Sequence, residues 1–280
     1  MIPHILTVGH TCLDMVYRVP HLPAADEKVA SSAMEMQIGG SAGNTAAALI
    51  SLGAKADVCT VLGNPTRLTT HTLITLLRNK GIGIECSYLD RVACPVSTIF
   101  VVPNGDNAIT SYQPSAICDA VHRPTDINRY LAVLGDTYRL PLVSFVFDLA
   151  RAAGRLTMLD VDTPVDNLLD LPQADHVWFS HAAWLSLDES DQDLKKLQDH
   201  FGGVVGVTHG PNPVRWIDTN KHQHAHLPLQ VPVASTLGAG DVFRAALAVA
   251  LCQGRKLSDA VELACIGASQ HISNTPLTKI

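Results

Sequence analysis

Ser235-Thr236-Leu237-Gly238-Ala239-Gly240-Asp241, followed by Val242-Phe243-Arg244-Ala245-Ala246-Leu247-Ala248-Val249-Ala250-Leu251, is the stretch on which the reading of this chain turns. Its second half predicts a helix, being rich in Ala and Leu, free of Pro and Gly, and stopped at Gly254. Its first half predicts a turn that only small residues make. Gly238 and Gly240 carry no side chains, so their N–H groups can converge on one concave space. The positive end of the helix that follows makes that space an anion site. Asp241 stands at its mouth, beside the helix start. A tight strand-to-helix turn with Asp241 as N-cap gives the same tetrapeptide. A carboxylate aimed at a place built for negative charge makes chemical sense when a neutral hydroxyl comes between them. Phosphoryl transfer to an alcohol has that arrangement: donors for the migrating phosphoryl oxygens and an acceptor for the attacking hydroxyl's proton.

The chain around this stretch has 280 residues, enough for one large α/β domain spanning 1–280. A hydrophobic share of 47% against 16% charged residues implies a sizeable core. The formal net charge of −6 offers no basic stripe to neutralise phosphates, which argues against a nucleic-acid partner. No basic segment leads into an apolar one at the start, and no apolar run approaches 18 residues, which argues against a membrane partner. Seven cysteines (12, 59, 86, 94, 118, 252 and 265) include no C-x-x-C pair and sit mostly in apolar surroundings. Reduced buried thiols in a cytoplasmic protein are the expectation.

In chain order, Ile5-Leu6-Thr7-Val8-Gly9 predicts a buried strand, and Thr11 to Val19 a strand with one wet face that carries Asp14. Residues just beyond strand ends line the crevice of an open α/β sheet, although a lone Asp there is also a common turn residue. Alternation at Met34, Met36 and Ile38 predicts another half-exposed strand, and the two together a small flap over the site. Gly39-Gly40-Ser41-Ala42-Gly43-Asn44 is a second glycine-rich loop, opening a helix over Thr45 to Ile50; tight backbone packing alone would also account for it. From Ala54 the rhythm is βαβα: a strand at 56–63, a helix at 71–79, and a hairpin whose strands flank Pro103-Asn104-Gly105-Asp106. A helix over 142–153 and strands at 156–162, 175–180 and 203–210 follow. Such alternation predicts a mostly parallel sheet with helices on both faces.

Two further groups invite a metal reading. Asp160 and Asp162 share one strand face and can hold Mg²⁺, or can make a turn and cap the next helix. His222, His224 and His226 also share a face, but strand neighbours two apart are about 6.5–7 Å distant, too far for one tetrahedral ion. A wet edge strand is the plainer account, and no metal-ligating residues are assigned.

Taken together, the N-terminal strand with Asp14, the Gly39-Gly40 loop with Asn44, the flap and the Gly238-Ala239-Gly240-Asp241 turn resemble the ribokinase-like, or PfkB, family of carbohydrate kinases over almost the whole chain. The resemblance implies a Rossmann-like three-layer α/β sandwich with a mostly parallel central sheet and a small β-sheet lid, here 12–38 and 95–113. It implies a lid-mediated homodimer, and ATP with Mg²⁺ acting on a sugar. By this likeness Asp241 is the base, and the amides of Gly238, Ala239 and Gly240 form the anion hole. Asp14, Gly39, Gly40 and Asn44 hold sugar hydroxyls, while Thr208 and Gly210 lie near the ATP phosphates. Ser180 stands where the family has the Asn of its Asn-x-x-Glu, and Ala183 where it has the Glu. Ser235-Thr236-Leu237 replaces the family's Asp-Thr-Thr, losing an acid that commonly belongs to a monovalent-cation site. Stretches such as Leu159-Asp160-Val161-Asp162 look like the sulfofructose kinase branch, although Tyr138-Arg139 is displaced and Ser111 differs from the residues that would grip a sulfonate. The helix N-terminus is expected to lower the pKa of Asp241.

The leading expectation is therefore an ATP-dependent sugar kinase acting on a hydroxyl, primary in a ketose or sugar derivative. A nucleoside kinase of the same family and a sugar sensor without catalysis are the alternatives. A dinucleotide-binding oxidoreductase is disfavoured because no G-x-G-x-x-G follows the first strand.

Overall fold

The computed structural model describes residues 1–165, 167–188 and 192–280. In chain order the elements are β1 (His4–Val8), β2 (Cys12–Arg18), β3 (Ala33–Gly39), α1 (Ser41–Ser51), β4 (Lys55–Gly63), α2 (Leu68–Asn79), β5 (Gly83–Leu89), β6 (Val96–Val101) and β7 (Asn107–Tyr112). They continue with α3 (Ser115–Cys118), β8 (Ala132–Asp136), α4 (Leu140–Ala152), β9 (Leu156–Val161), β10 (His176–Phe179), α5 (His181–Ser186) and α6 (Leu194–Phe201). The last are β11 (Val204–His209), β12 (Asn212–Ile217), β13 (Gln223–His226), α7 (Ala239–Cys252) and α8 (Leu257–Ile272).

Nine strands form the main sheet in the order β13-β12-β11-β10-β9-β8-β1-β4-β5. The seven strands from β11 to β5 run parallel, and β12 and β13 return antiparallel at one edge. Both faces are covered, as a parallel sheet requires. Along each strand consecutive side chains enter opposite cores: Ile5, Ala132, Leu134, Met158 and Trp178 face one, while Leu6, Val133, Leu159, Val177 and Phe179 face the other. The first core is closed by α1, α2, α7 and α8, the second by α4, α5 and α6. Ala245, Ala246, Ala248 and Ala250 are all buried, so α7 has little side-chain bulk to keep its neighbours away.

A second sheet, β3-β2-β6-β7, is made by the segments the flap reading pointed to. Its two central strands, β2 and β6, pair in parallel, and β3 and β7 flank them antiparallel. The helices expected at 45–50 and 71–79 begin earlier, at Ser41 and Leu68. The N-cap reading of Asp241 is overturned: Gly238 is the N-cap of α7, and Asp241 is already inside the first turn. β13 is an outer edge strand, where His224 stacks on Trp216 and pairs with Asp218. All seven cysteines are free. Among the described residues no helix is long and apolar enough to cross a membrane.

Candidate active site

The chain starts in the middle of the sheet, builds outward through β4 and β5, then returns to β8 on the other side of β1. The strand order reverses at β1 and β8, and a crevice opens beyond their C-terminal ends, where ligands bind in such folds. Asp136 closes the gap between them. Its carboxylate accepts from His10 N at 2.8 Å and from Tyr138 N at 3.0 Å. Burial pushes its pKa up to about 6, against the pull of those N–H donors and of Arg244 and Arg139. Arg139 donates through Nη2 to His10 Nδ1 at 3.4 Å, so the proton of that imidazole sits on Nε2. Burial, helped by Arg139, lowers the His10 pKa to about 4, and the ring faces the crevice uncharged.

The second sheet supplies the wall opposite. Asp14 on β2 is buried and accepts from Cys12 Sγ at 3.1 Å. The chain of polar contacts runs on from Cys12 Sγ to Ser97 Oγ at 3.5 Å and from there to Ser111 Oγ at 3.2 Å. Burial raises the Asp14 pKa, and these hydrogen bonds oppose the rise. Gly39 is glycine because Asp14 leaves no room: a Cβ there would stand 2.1 Å from the Asp14 carboxyl. Gly40, at φ 78°, caps α1 in a conformation that few other residues adopt, and a Cβ on it would meet the His10 carbonyl at 2.4 Å. The first turn of α1 then carries Ser41 and Asn44 into the crevice, while the buried Thr45 reaches Asp241.

The third wall is the turn before α7. Gly238 is left-handed at φ 79°. His271 of α8 donates from Nε2 to Leu237 O at 2.8 Å, and Ala234 N and Ser235 N donate to Ile272 O at 2.7 and 3.3 Å. The end of α8 thus straps the turn down. Gly240 has helical geometry and open space before it: a Cβ there would meet nothing nearer than Arg244 Nη1 at 3.9 Å. Among the described residues nothing crowds a side chain at that position.

Asp241 has a side chain only 13% exposed. Its Oδ1 accepts from Thr45 Oγ1 at 3.3 Å and from Arg244 Nη2, and Arg244 Nη1 ion-pairs with Asp160. The expectation that the helix terminus depresses the Asp241 pKa is corrected here. Burial raises it, Asp162 adds to the rise, and Arg244 with Thr45 and Asn44 opposes it. Desolvation of a carboxylate outweighs a helix dipole that is worth at most about 2 kcal/mol. Asp160 caps no helix; the Arg244 guanidinium pairs with it instead. Burial, opposed by Arg244, lifts the Asp160 pKa to about 7, with Asp162 and Asp241 adding to the rise.

The nucleotide-side candidates sit at neighbouring strand ends. Ser180 follows β10 and caps α5, its Oγ accepting from Ala183 N at 3.1 Å. Thr208 at the end of β11 donates to Phe179 O at 3.4 Å. Gly210, at φ 51°, has open space around it. His181 and His209 stack there with ring centroids 3.5 Å apart.

Asp14, Gly40, Asn44, Gly238 and Asp241 line one cavity of about 250 Å³, together with His10, Cys12, Ser97, Tyr138 and Asp162. An adjoining cavity of about 220 Å³ shares Asp14, Asn44, Gly238 and Asp241 and reaches Lys80 and His271. Gly39, Ala239 and Gly240 shape the walls without lining either cavity. Ser180, Thr208 and Gly210 lie outside both. Sequence reasoning missed His10, Thr45, Ser97, Asp136, Arg244 and His271. Arg244 alone gave a signal, a lone cation in an apolar helix. Among the described residues no group of three His, Cys, Asp or Glu is placed to hold a metal ion.

Comparison with known proteins agrees with this geometry. A sequence model described as pfkB family carbohydrate kinase matches residues 3–278. A ribokinase of Dictyostelium discoideum is 24% identical over 315 residues, covering 99% of this chain and 98% of its own. A crystal structure of a provisional ribokinase from Agrobacterium tumefaciens superposes with a TM-score of 0.90 at 26% identity, covering 100% of this chain and 95% of its own. The Arabidopsis thaliana ribokinase complexed with ribose and ATP gives a TM-score of 0.79 at 20% identity, covering 97% and 93%. The chain belongs to the pfkB family of carbohydrate kinases, phosphotransferases whose acceptor is an alcohol group.

Proposed function

We propose that this protein transfers the γ-phosphoryl of ATP to a primary hydroxyl of an uncharged ketose or related sugar, with Asp241 as the base. The observation that carries the reading is the pairing of Asp241 with the open space above Gly240. An acceptor oxygen between them meets a carboxylate on one side and, on the other, a phosphoryl group facing the N–H groups of Gly238 and Gly240; the Ala239 N–H is already taken by Thr236 O at 3.2 Å. Asp241 orients the hydroxyl and takes its proton as the bond to phosphorus forms; a loose transition state asks for little basicity before that point. Most of the rate comes from holding reactants in line and from the fixed dipoles facing the phosphoryl oxygens.

Asp14, with Gly40 and Asn44, holds sugar hydroxyls, and Gly39 lets Asp14 stand close to the loop. The first cavity is lined by no Lys or Arg among the described residues, which favours an uncharged acceptor over one bearing a sulfonate or phosphate. Thr208, Gly210 and Ser180 face the nucleotide. Mg²⁺ would travel with the triphosphate and keep much of its water, which suits a site with no cluster of protein ligands among the described residues. The relative from Arabidopsis thaliana, bound to ribose and ATP, supports the pairing of substrates.

The test is ADP release with Mg²⁺ and ATP over a panel of ketoses, sulfosugars and nucleosides, with Asp241→Asn beside the wild type. Stimulation by one ketose, abolished in Asp241→Asn while ATP still binds, supports the reading. Stimulation by a nucleoside moves the substrate class. Sugars that raise the melting temperature without any turnover move the protein to a sensor.

A further inference from the structure

Arg244 is 6% exposed, one turn along α7 from Asp241, and it joins three elements. Nη2 donates to Asp241 Oδ1, to Ser41 Oγ at 3.0 Å and to Thr45 Oγ1 at 3.4 Å, while Nη1 pairs with Asp160 at the end of β9. Thr45 Oγ1 also donates to Asp241 Oδ1. The bonds from Thr45 and Arg244 therefore both end on Oδ1, and the Asn44 side chain adds a further hydrogen bond to the carboxyl. Oδ2 lies toward the turn, 3.9 Å from where a Cβ on Gly238 would stand. A guanidinium can span two carboxylates with its planar fork, whereas an ammonium is a single point charge.

We propose that Arg244 is a positioning residue for the phosphoryl transfer: it clamps Asp241 by Oδ1 and anchors that clamp to Asp160, so that Oδ2 is turned toward the acceptor. The inference rests on Asp241 being the base. Charged and titratable groups around Asp241 include Asp160 and Asp162 from the β9 end, Asp136 and Tyr138 from the β8 end, His10 after β1, and Cys12 and Asp14 from β2. His271 lies behind Gly238, and Lys80 lines the adjoining cavity. Burial and Asp162 work against the ionised form, and Arg244 is the largest influence in its favour.

The experiment is the pH dependence of ADP release with D-ribose and D-fructose as probe acceptors, combined with a ¹³C NMR titration of the Asp241 carboxyl in the protein without acceptor. Arg244→Gln is expected to lower kcat by roughly 10²-fold with little change in the acceptor KM, and to move the acid limb to higher pH. Arg244→Lys returns the limb toward the wild type and recovers part of kcat. Asp160→Asn leaves the guanidinium to Asp241 alone, so the limb moves the opposite way, to lower pH. A folded Arg244→Gln with the wild-type kcat and limb overturns the proposal. So does an even loss of rate at every pH in both variants, which a structural role alone would give. Should Arg244→Gln fail to fold, Arg244→Lys and Asp160→Asn decide the matter by the same readings. If the wild type turns over neither probe, the NMR titration still judges the clamp: an Asp241 pKa unmoved by Arg244→Gln, or by Asp160→Asn where Arg244→Gln does not fold, refutes it.

Discussion

Gly238 and Gly240 are two residues apart and meet different demands. Gly238 holds a left-handed φ of 79°, where an L-residue costs about 1–2 kcal/mol, and a Cβ there would come within 3.2 Å of His271 Nε2. Gly238→Ala is expected to lower stability by at least that amount, measured by urea unfolding. Gly240 is helical with space before it, so Gly240→Ala should leave stability unchanged or raise it by about 0.5–1 kcal/mol. Its kcat should nonetheless fall sharply, because the methyl group enters the space meant for the phosphoryl oxygens. Equal rates in wild type and Gly240→Ala would contradict the anion-hole role. A residue far from the crevice gives a separate test. Burial, opposed by Asp175, lowers the His176 pKa to about 4 in the folded state, against 6.5 when unfolded. Below pH 6.5 the unfolded chain takes a proton that the folded chain refuses, so stability is full above 6.5 and is lost as pH falls toward 4. The loss is on the order of 3 kcal/mol, and a His176→Gln variant should be spared that part of it. Parallel stability-versus-pH curves for the two proteins would show that His176 is not the cause.

At the scale of elements, the end of α8 acts as a brace for the turn before α7, through His271 and the Ile272 carbonyl. His271→Ala should lose about 1 kcal/mol of stability and a larger share of kcat, since the cradle it steadies is also the proposed anion hole. The second sheet keeps its paired strands inside and its edges bare. Met34 and Met36 on β3, with Ile109 and Tyr112 on β7, are exposed apolar side chains on open edges, which soluble proteins usually cover or charge. We expect a homodimer through this lid. Sedimentation should find twice the chain mass for the wild type and a monomer for the Met34→Lys, Met36→Lys double variant; a wild-type monomer at micromolar concentration would remove the idea. Most of these elements were legible in the sequence. Alternation at Met34, Met36 and Ile38 marked β3, and Pro103-Asn104-Gly105-Asp106 marked the β6–β7 hairpin. β8 was not marked, because Ala132-Val133-Leu134 is too short an apolar run to separate from a buried turn of helix.

At the scale of the whole molecule, what the sequence held back is what distance along the chain conceals. The loops that carry Asn44 and Gly238 to Asp241 declare themselves through glycine spacing, and the strand that carries Asp14 through alternation, both local properties. The bond from His10 N to Asp136 spans 126 positions, and that from Thr45 to Asp241 spans 196, so neither leaves a local trace. The direction of the Asp241 shift failed for the same reason: a helix terminus can be read locally, whereas burial is a property of the assembled fold. The central place of β1 in the sheet has a consequence for how the protein is made. The walls that carry Asp14 and Asn44 leave the ribosome first, and Asp241 follows about 200 residues later, a delay of roughly 10–40 s at ordinary rates of synthesis. Any chain released before then lacks both the carboxylate and the cradle opposite it, and it lacks the two helices that seal one core. On the proposed reading such a chain cannot carry out the transfer, so activity itself becomes a report that synthesis has passed Asp241.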